Sequence, residues 1–358
     1  PDSIAVMQQI NLNGSEQWVT IRGKDVDNPV LLFLAGGPGG SELTWTRSYL
    51  PQLEDHFVVV NWDQAGAGKS YDALDPADMT VERYVDDALE LTEQLRARFQ
   101  QEKIYLIGES WGTILGIKLI QAYPELYHAY VGSGQMVNTV ENDRLGYELA
   151  LEYAEAQGNV DTAETLRRNG PPPYFDGNPF MQYARYLMVL NGHMAANAPG
   201  DGREYNQLTE VIVGPEYGYV DKVNWFRGLN DTFNAVYPQL TDLDFVTQAP
   251  HLETPVYFTI GRHDVNAMAP LVERYYAVLD APHKELIWFE RSGHTPLWEE
   301  RDKFVDVLVN RVLADTQPAA PKALPAGLAD REAVAAFFDE FIPHQLRTDH
   351  IAGAAVAV

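Results

Sequence analysis

Apolar residues along this chain follow two rhythms. The run Val30-Leu31-Leu32-Phe33-Leu34-Ala35 is continuously apolar between Pro29 and Gly36, the pattern of a strand buried on both faces of a parallel sheet. Comparable runs recur at 57–61, 104–107, 256–260 and 285–289, and two strand-like pieces precede them at 7–11 and 17–22. Between the runs the period lengthens. Apolar residues at 81, 84, 85, 88, 91 and 95 predict a helix over 81–99, with Thr80 placed to cap it. Segment 114–123 predicts a second helix that stops before Pro124, and 298–313 a third. Strands and helices alternating in this way specify an α/β fold, a mostly parallel central sheet with helices on both faces.

The alternation lapses over 140–250. Helical periodicity dominates there, and tyrosines such as Tyr147, Tyr183 and Tyr186 accumulate. We read 1–139 and 251–316 as one core and 140–250 as a helical cap inserted into it. Residues 317–330, rich in Pro and Ala, read as a linker. Beyond it, Val334, Phe337, Phe338, Phe341 and Ile342 mark one face of a helix and 351–358 open an apolar strand, so 331–358 read as a fragment of a following domain.

Composition narrows the function. The 26 Lys and Arg against 51 Asp and Glu leave a formal net charge of −25, and no basic cluster is present to hold phosphates, so nucleic acid is excluded as a partner. Absence of Cys removes disulfides, iron–sulfur sites and a thiol nucleophile. No run of eighteen apolar residues provides a membrane span. The start, Pro1-Asp2-Ser3-Ile4, reads as trimmed and leaves the compartment open.

The chemistry concentrates in short motifs at the ends of the predicted strands. Gly108-Glu109-Ser110-Trp111-Gly112 stands between the strand ending at 107 and the helix after it. A nucleophilic Ser needs such a sharp turn with small flanking residues, and the amide of Trp111 then faces a developing oxyanion. Asp264 follows the strand over 256–260, and His294 lies in Arg291-Ser292-Gly293-His294-Thr295-Pro296 just past the last strand. The chain order Ser, Asp, His suits a nucleophile, orienting acid and general base at one sheet edge. In the loop Gly36-Gly37-Pro38-Gly39-Gly40, either Gly36 or Gly37 can supply the second oxyanion amide. Acyl transfer of this kind needs no cofactor and no metal ion. Gly66-Ala67-Gly68-Lys69-Ser70 mimics the end of a phosphate loop, but Asp63 stands where that pattern requires Gly.

Taken together, GGPGG at 36–40, Asp63-Gln64-x-Gly66-x-Gly68-x-Ser70, GESWG at 108–112, GRHD at 261–264 and SGH at 292–294 resemble the α/β-hydrolase superfamily and, within it, the prolyl aminopeptidase (proline iminopeptidase) family of serine peptidases. The resemblance implies release of N-terminal residues from short peptides, with acidic cap residues binding the substrate's ammonium group. Glu210, Glu216 and Asp221 are the cap candidates, and Glu109 a further one beside the nucleophile. The chain departs from the family pattern at Ala35 (usually His), Ala65 (usually Arg) and Glu109 (commonly Gly), and its cap lacks the Trp-Glu pairing. A carboxylesterase or lipase acting on small esters and a non-catalytic hydrolase-fold binding protein are therefore kept as alternatives. The tail from Phe337 to Val358 is similar to the opening of class C β-lactamase-like domains, which implies a covalent fusion continuing past residue 358.

Overall fold

The computed structural model describes residues 2–203 and 206–316, together with Ala335, Phe338 and Asp339. The β-lactamase-like resemblance of the tail lies outside the described residues. The chain divides into two compact units, Pro1–Val305 and Asp306–Val358. In the second, the described stretch is helical and includes one π-helical turn, Leu308–Leu313.

The first unit is built on eight strands, β1 Ile4–Leu12, β2 Ser15–Gly23, β3 Val30–Leu34, β4 Val58–Asp63, β5 Ile104–Glu109, β6 Tyr127–Ser133, β7 Val256–Gly261 and β8 Lys284–Phe289. Their order in the sheet is β1-β2-β4-β3-β5-β6-β7-β8. The pairs β1/β2 and β2/β4 are antiparallel and all others parallel. Every residue of β3, β4, β5 and β7 is buried, which is why their sequences are apolar without alternation. β6 reads Tyr-His-Ala-Tyr-Val-Gly-Ser and offers no such run, so periodicity does not find it.

Helices α1 Trp45–Tyr49, α2 Val81–Phe99 and α3 Trp111–Ala122 connect strands of the first half. Thr80 caps α2, its hydroxyl accepting from the Arg83 amide at 3.1 Å. Between β6 and β7 lie α4 Thr139–Ala156, α5 Val160–Asn169, α6 Pro179–Asn197, α7 Gln207–Val213, α8 Tyr219–Val236 and α9 Phe245–Gln248. Then follow α10 Ala269–Val278, α11 Pro296–Glu299 and α12 Arg301–Val307. One apolar cluster joins the strands to α2, α3 and α10 through residues such as Leu91, Ile117 and Val272. A second, around Tyr147, Leu166, Tyr186 and Phe233, joins α4, α5, α6 and α8.

The helix predicted over 298–313 is interrupted. Glu300 leaves the helical region (φ −129°, ψ 63°) while its carboxylate accepts from the Arg291 amide at 2.9 Å and from Ser292 Oγ at 2.7 Å. The interruption fixes the loop that carries His294. Helix α8 crosses two glycine loops of the core: a Cβ on Gly39 would stand 2.1 Å from Gly228 O, and one on Gly66 2.2 Å from Thr232 Oγ1. In the stretch that mimics a phosphate loop, Asp63 accepts from the Lys69 amide at 2.8 Å and Ser70 Oγ accepts from the Trp18 amide at 2.8 Å.

Candidate active site

Ser110 occupies the turn from β5 into α3 at φ 50°, ψ −115°, a backbone region that a non-glycine residue holds only under constraint from its surroundings. Two steric facts supply the constraint. A Cβ on Gly108 would lie 2.5 Å from Gly112 O, and one on Gly112 would lie 2.0 Å from Leu34 O. Glycine at both positions lets α3 close onto β3, and the Ser110 amide is then tied to Ser133 O of β6 at 3.0 Å.

Strand β7 delivers Asp264 and strand β8 delivers His294 to the same carboxyl edge of the sheet. His294 Nε2 stands 3.0 Å from Ser110 Oγ, and its Nδ1 stands 3.0 and 3.2 Å from Asp264 Oδ2 and Oδ1. Asp264 is buried, and its Oδ1 accepts from the amides of Asn266 and Ala267, both at 2.9 Å. The Gly293 amide donates to Glu299 Oε2 at 2.7 Å, holding the histidine loop from its other side. Burial, the largest single influence on His294, works against the imidazolium. The charge and hydrogen bond of Asp264, joined by Glu109 and Glu299, outweigh it and push the histidine up to about 9.

These residues open onto a cavity of about 410 Å³, walled by Glu42, Glu109 and Glu299 on one part and by Tyr183, Trp225 and Phe233 on another. No lysine or arginine is among its described lining residues. Burial raises Glu109 to about 7, partly offset by the nearby His294, and Glu299 to about 6. Glu42 is raised well above the usual carboxylate range by burial and by the charge of Glu109. A cation in the cavity would favour the ionised forms of these carboxyl groups.

Ser110, Asp264 and His294 are thus brought together, and Gly36, Gly37 and Glu109 line the cavity beside them. The Gly36 backbone beside Glu42 partly offsets the rise of that carboxyl group. Trp111 opens α3, where backbone N–H groups have no partner within the helix; its indole donates to Gln64 Oε1 at 2.9 Å. The three candidates from the inserted helices are placed elsewhere. Glu216 pairs with Arg47 at 2.5 Å, Asp221 with Lys69 at 2.8 Å, and Glu210 accepts from Ser48 Oγ at 2.7 Å. None of them lines the cavity. In their place the structure puts Glu42 and Glu299, which sequence reasoning did not single out. Their one signal is proximity in the chain, two residues past Gly40 and five past His294.

Among the described residues, no group of three or more His, Asp or Glu is placed to hold a metal ion, and no helix is long and apolar enough to cross a membrane.

Comparison with known proteins agrees with the architecture. Residues 29–168 match the α/β hydrolase fold family. The chain is 32% identical over 311 residues to the Bacillus subtilis (strain 168) protein named "Probable aminopeptidase YbaC", covering 86% of this chain and 96% of that one. It is 28% identical over 293 residues to the proline iminopeptidase of Saccharolobus solfataricus, covering 78% and 84%. Among solved structures, a proline iminopeptidase-related protein from Thermus thermophilus shares the fold with a TM-score of 0.60 at 20% identity, over 88% of this chain and all of that one. The chain is a hydrolase that belongs to the α/β-hydrolase superfamily and, within it, resembles the prolyl aminopeptidases.

Proposed function

We propose that the protein is a serine aminopeptidase of the prolyl aminopeptidase type, which releases N-terminal residues from short peptides through an acyl-enzyme. The observation that carries this reading is a cavity beside Ser110 walled by three carboxyl groups and by no described lysine or arginine. An unblocked N-terminus holds its ammonium two bonds from the scissile carbonyl carbon, so the charge that recognises it must stand next to the nucleophile. Glu109 Oε1, 3.9 Å from His294 Nε2, meets that requirement. Relatives named as an aminopeptidase and as a proline iminopeptidase support the same class.

In this reading Ser110 Oγ attacks the carbonyl and His294 Nε2 takes its proton. Asp264 holds the tautomer with the proton on Nδ1 and stabilises the imidazolium. The oxyanion is received by the amides of Trp111 and Gly37, both beside Ser110. His294 then protonates the leaving amine, and in the second half it draws a proton from water, whose oxygen attacks the acyl-enzyme and frees Ser110. The helices over 140–250 act as a cap, their Tyr183, Trp225 and Phe233 excluding bulk water from the acyl group.

Turnover of alanyl and prolyl 4-nitroanilides tests the reading. Native protein is expected to cleave them and to take a fluorophosphonate label, and Ser110→Ala to lose the label and at least about 10⁴-fold in kcat/KM. A native protein that takes no label would be a binding protein. The apolar wall formed by Phe180, Leu187 and Leu229 favours, as a second reading, a carboxylesterase. Labelling with cleavage of a short-chain nitrophenyl ester but of neither anilide would establish it.

A further inference from the structure

Two of the three cavity carboxyl groups form a pair drawn from separate parts of the core. Glu109 ends β5, immediately before Ser110, and Glu42 stands in the loop after β3. Both line the cavity beside Ser110, each residue is only 4% exposed, and the charge of Glu109 helps to raise Glu42. Two buried carboxyl groups whose charges oppose each other resist being ionised together. A cation placed beside them relieves that repulsion.

No described lysine or arginine lines the cavity to answer the two carboxyl groups, and their basic neighbour there is His294, whose Nε2 lies 3.9 Å from Glu109 Oε1. Asp63 nearby is occupied by Ser41, by the Lys69 amide at 2.8 Å and by the Tyr217 hydroxyl at 3.1 Å. Glu42 Oε2 is fully buried without any hydrogen-bond partner, although its residue lines the cavity. An unpartnered carboxylate oxygen buried at a cavity wall is costly unless a ligand completes it. A small cationic donor beside Ser110 would supply that partner.

Resting on the aminopeptidase reading, we propose that Glu42 and Glu109, rather than Glu210, Glu216 or Asp221, form the seat of the substrate's α-ammonium group. An ammonium group supplies the positive charge that these two carboxyl groups lack. A primary ammonium brings three donors and the secondary ammonium of an N-terminal proline two, and the pair has acceptors for either. The selected class is then peptides, amides or esters with an unblocked α-amino or imino group. Acylated N-termini and desamino analogues leave the pair unanswered.

Alanine methyl ester and methyl propionate differ only in the amine and can be compared by acid release at pH 7. Native protein is expected to prefer the alanine ester. In Glu109→Gln and Glu42→Gln the ratio of the two kcat/KM values should fall at least tenfold, with KM for the alanine ester the parameter that moves. Fluorophosphonate labelling of Ser110 certifies that each variant is folded, and Glu109→Asp, which keeps a carboxyl group, should restore part of the ratio. If the native protein prefers the alanine ester and both Gln variants keep that preference, the pair is not the seat and the aminopeptidase reading stands. If the native protein shows no preference for the amine, the aminopeptidase reading falls and this proposal falls with it.

Discussion

His294 stands among negative groups, and in the proposed mechanism that sets the pH at which it can act as a base. Only the neutral imidazole can accept the Ser110 proton. Burial pulls the histidine toward neutrality, but the Asp264 charge and hydrogen bond, with Glu109 and Glu299, favour the imidazolium and raise it to about 9. The rate should therefore climb with pH through an acid limb displaced upward from the ordinary histidine value near 6.5. Glu109→Gln removes one of the negative charges that hold the proton, so the limb must move to lower pH. Profiles of kcat/KM for methyl propionate, whose own charge does not change, between pH 5 and 10 in native protein and Glu109→Gln check this. A limb that stays in place or moves up would show that Glu109 does not act on the histidine. Residues of this kind differ in how visible they are in a sequence. Ser110, Asp264 and His294 stand in short motifs after strands, where chain direction alone puts them at one edge. Glu210, Glu216 and Asp221 carry the same charge as a binding carboxylate, and only their distant partners, Ser48, Arg47 and Lys69, show how they are used. The loop position of Glu42 gives its side chain no periodicity from which a direction could be read.

Elements meet here through glycines as much as through apolar faces. Gly112 allows the first turn of α3 to rest against the last carbonyl of β3, since a Cβ there would fall 2.0 Å from Leu34 O. Backbone cannot yield as a flexible side chain does, so Gly112→Ala should push α3 off the sheet and displace Ser110 together with the amides proposed to receive the oxyanion. Expected outcomes are a loss of fluorophosphonate labelling and a melting temperature lowered by several degrees. Gly192, in the interior of α6, is the control. It is exposed and has nothing within 4 Å of an added Cβ, so Gly192→Ala should leave labelling intact and raise stability by up to about 1 kcal/mol. Equal damage from both substitutions would refute the packing argument. Continuous apolar runs made β3, β4, β5 and β7 legible, and helical periodicity with a Thr cap made α2 legible. β6 was hidden because two tyrosines and a histidine fill a buried strand that usually shows aliphatic residues. The break at Glu300 was hidden because it depends on bonds to Arg291 and Ser292, which helical periodicity does not encode.

At the scale of the whole molecule, a formal charge of −25 surrounds a cavity whose described lining includes no lysine or arginine. The charge is plain from composition; its concentration at the site is not, because that depends on which carboxylates the fold already neutralises. If the substrate is an amine, as proposed, two contributions to its binding can be separated by salt. The diffuse field of surface carboxylates reaches about 30 Å at 0.01 M ionic strength and about 10 Å at 0.1 M, so salt removes it. The buried Glu42–Glu109 pair is screened far less. KM for alanine methyl ester should therefore rise about threefold as salt increases from 0.01 M, then level off by about 0.5 M. The plateau should still lie below the KM of methyl propionate, which salt should leave flat. In Glu109→Gln the salt-dependent rise should persist while the plateau climbs toward the propionate value, because the field remains when the local seat is lost. A salt response that vanished in this variant would place the whole attraction at the pair, and a plateau equal in native protein and variant would place it all in the surface field.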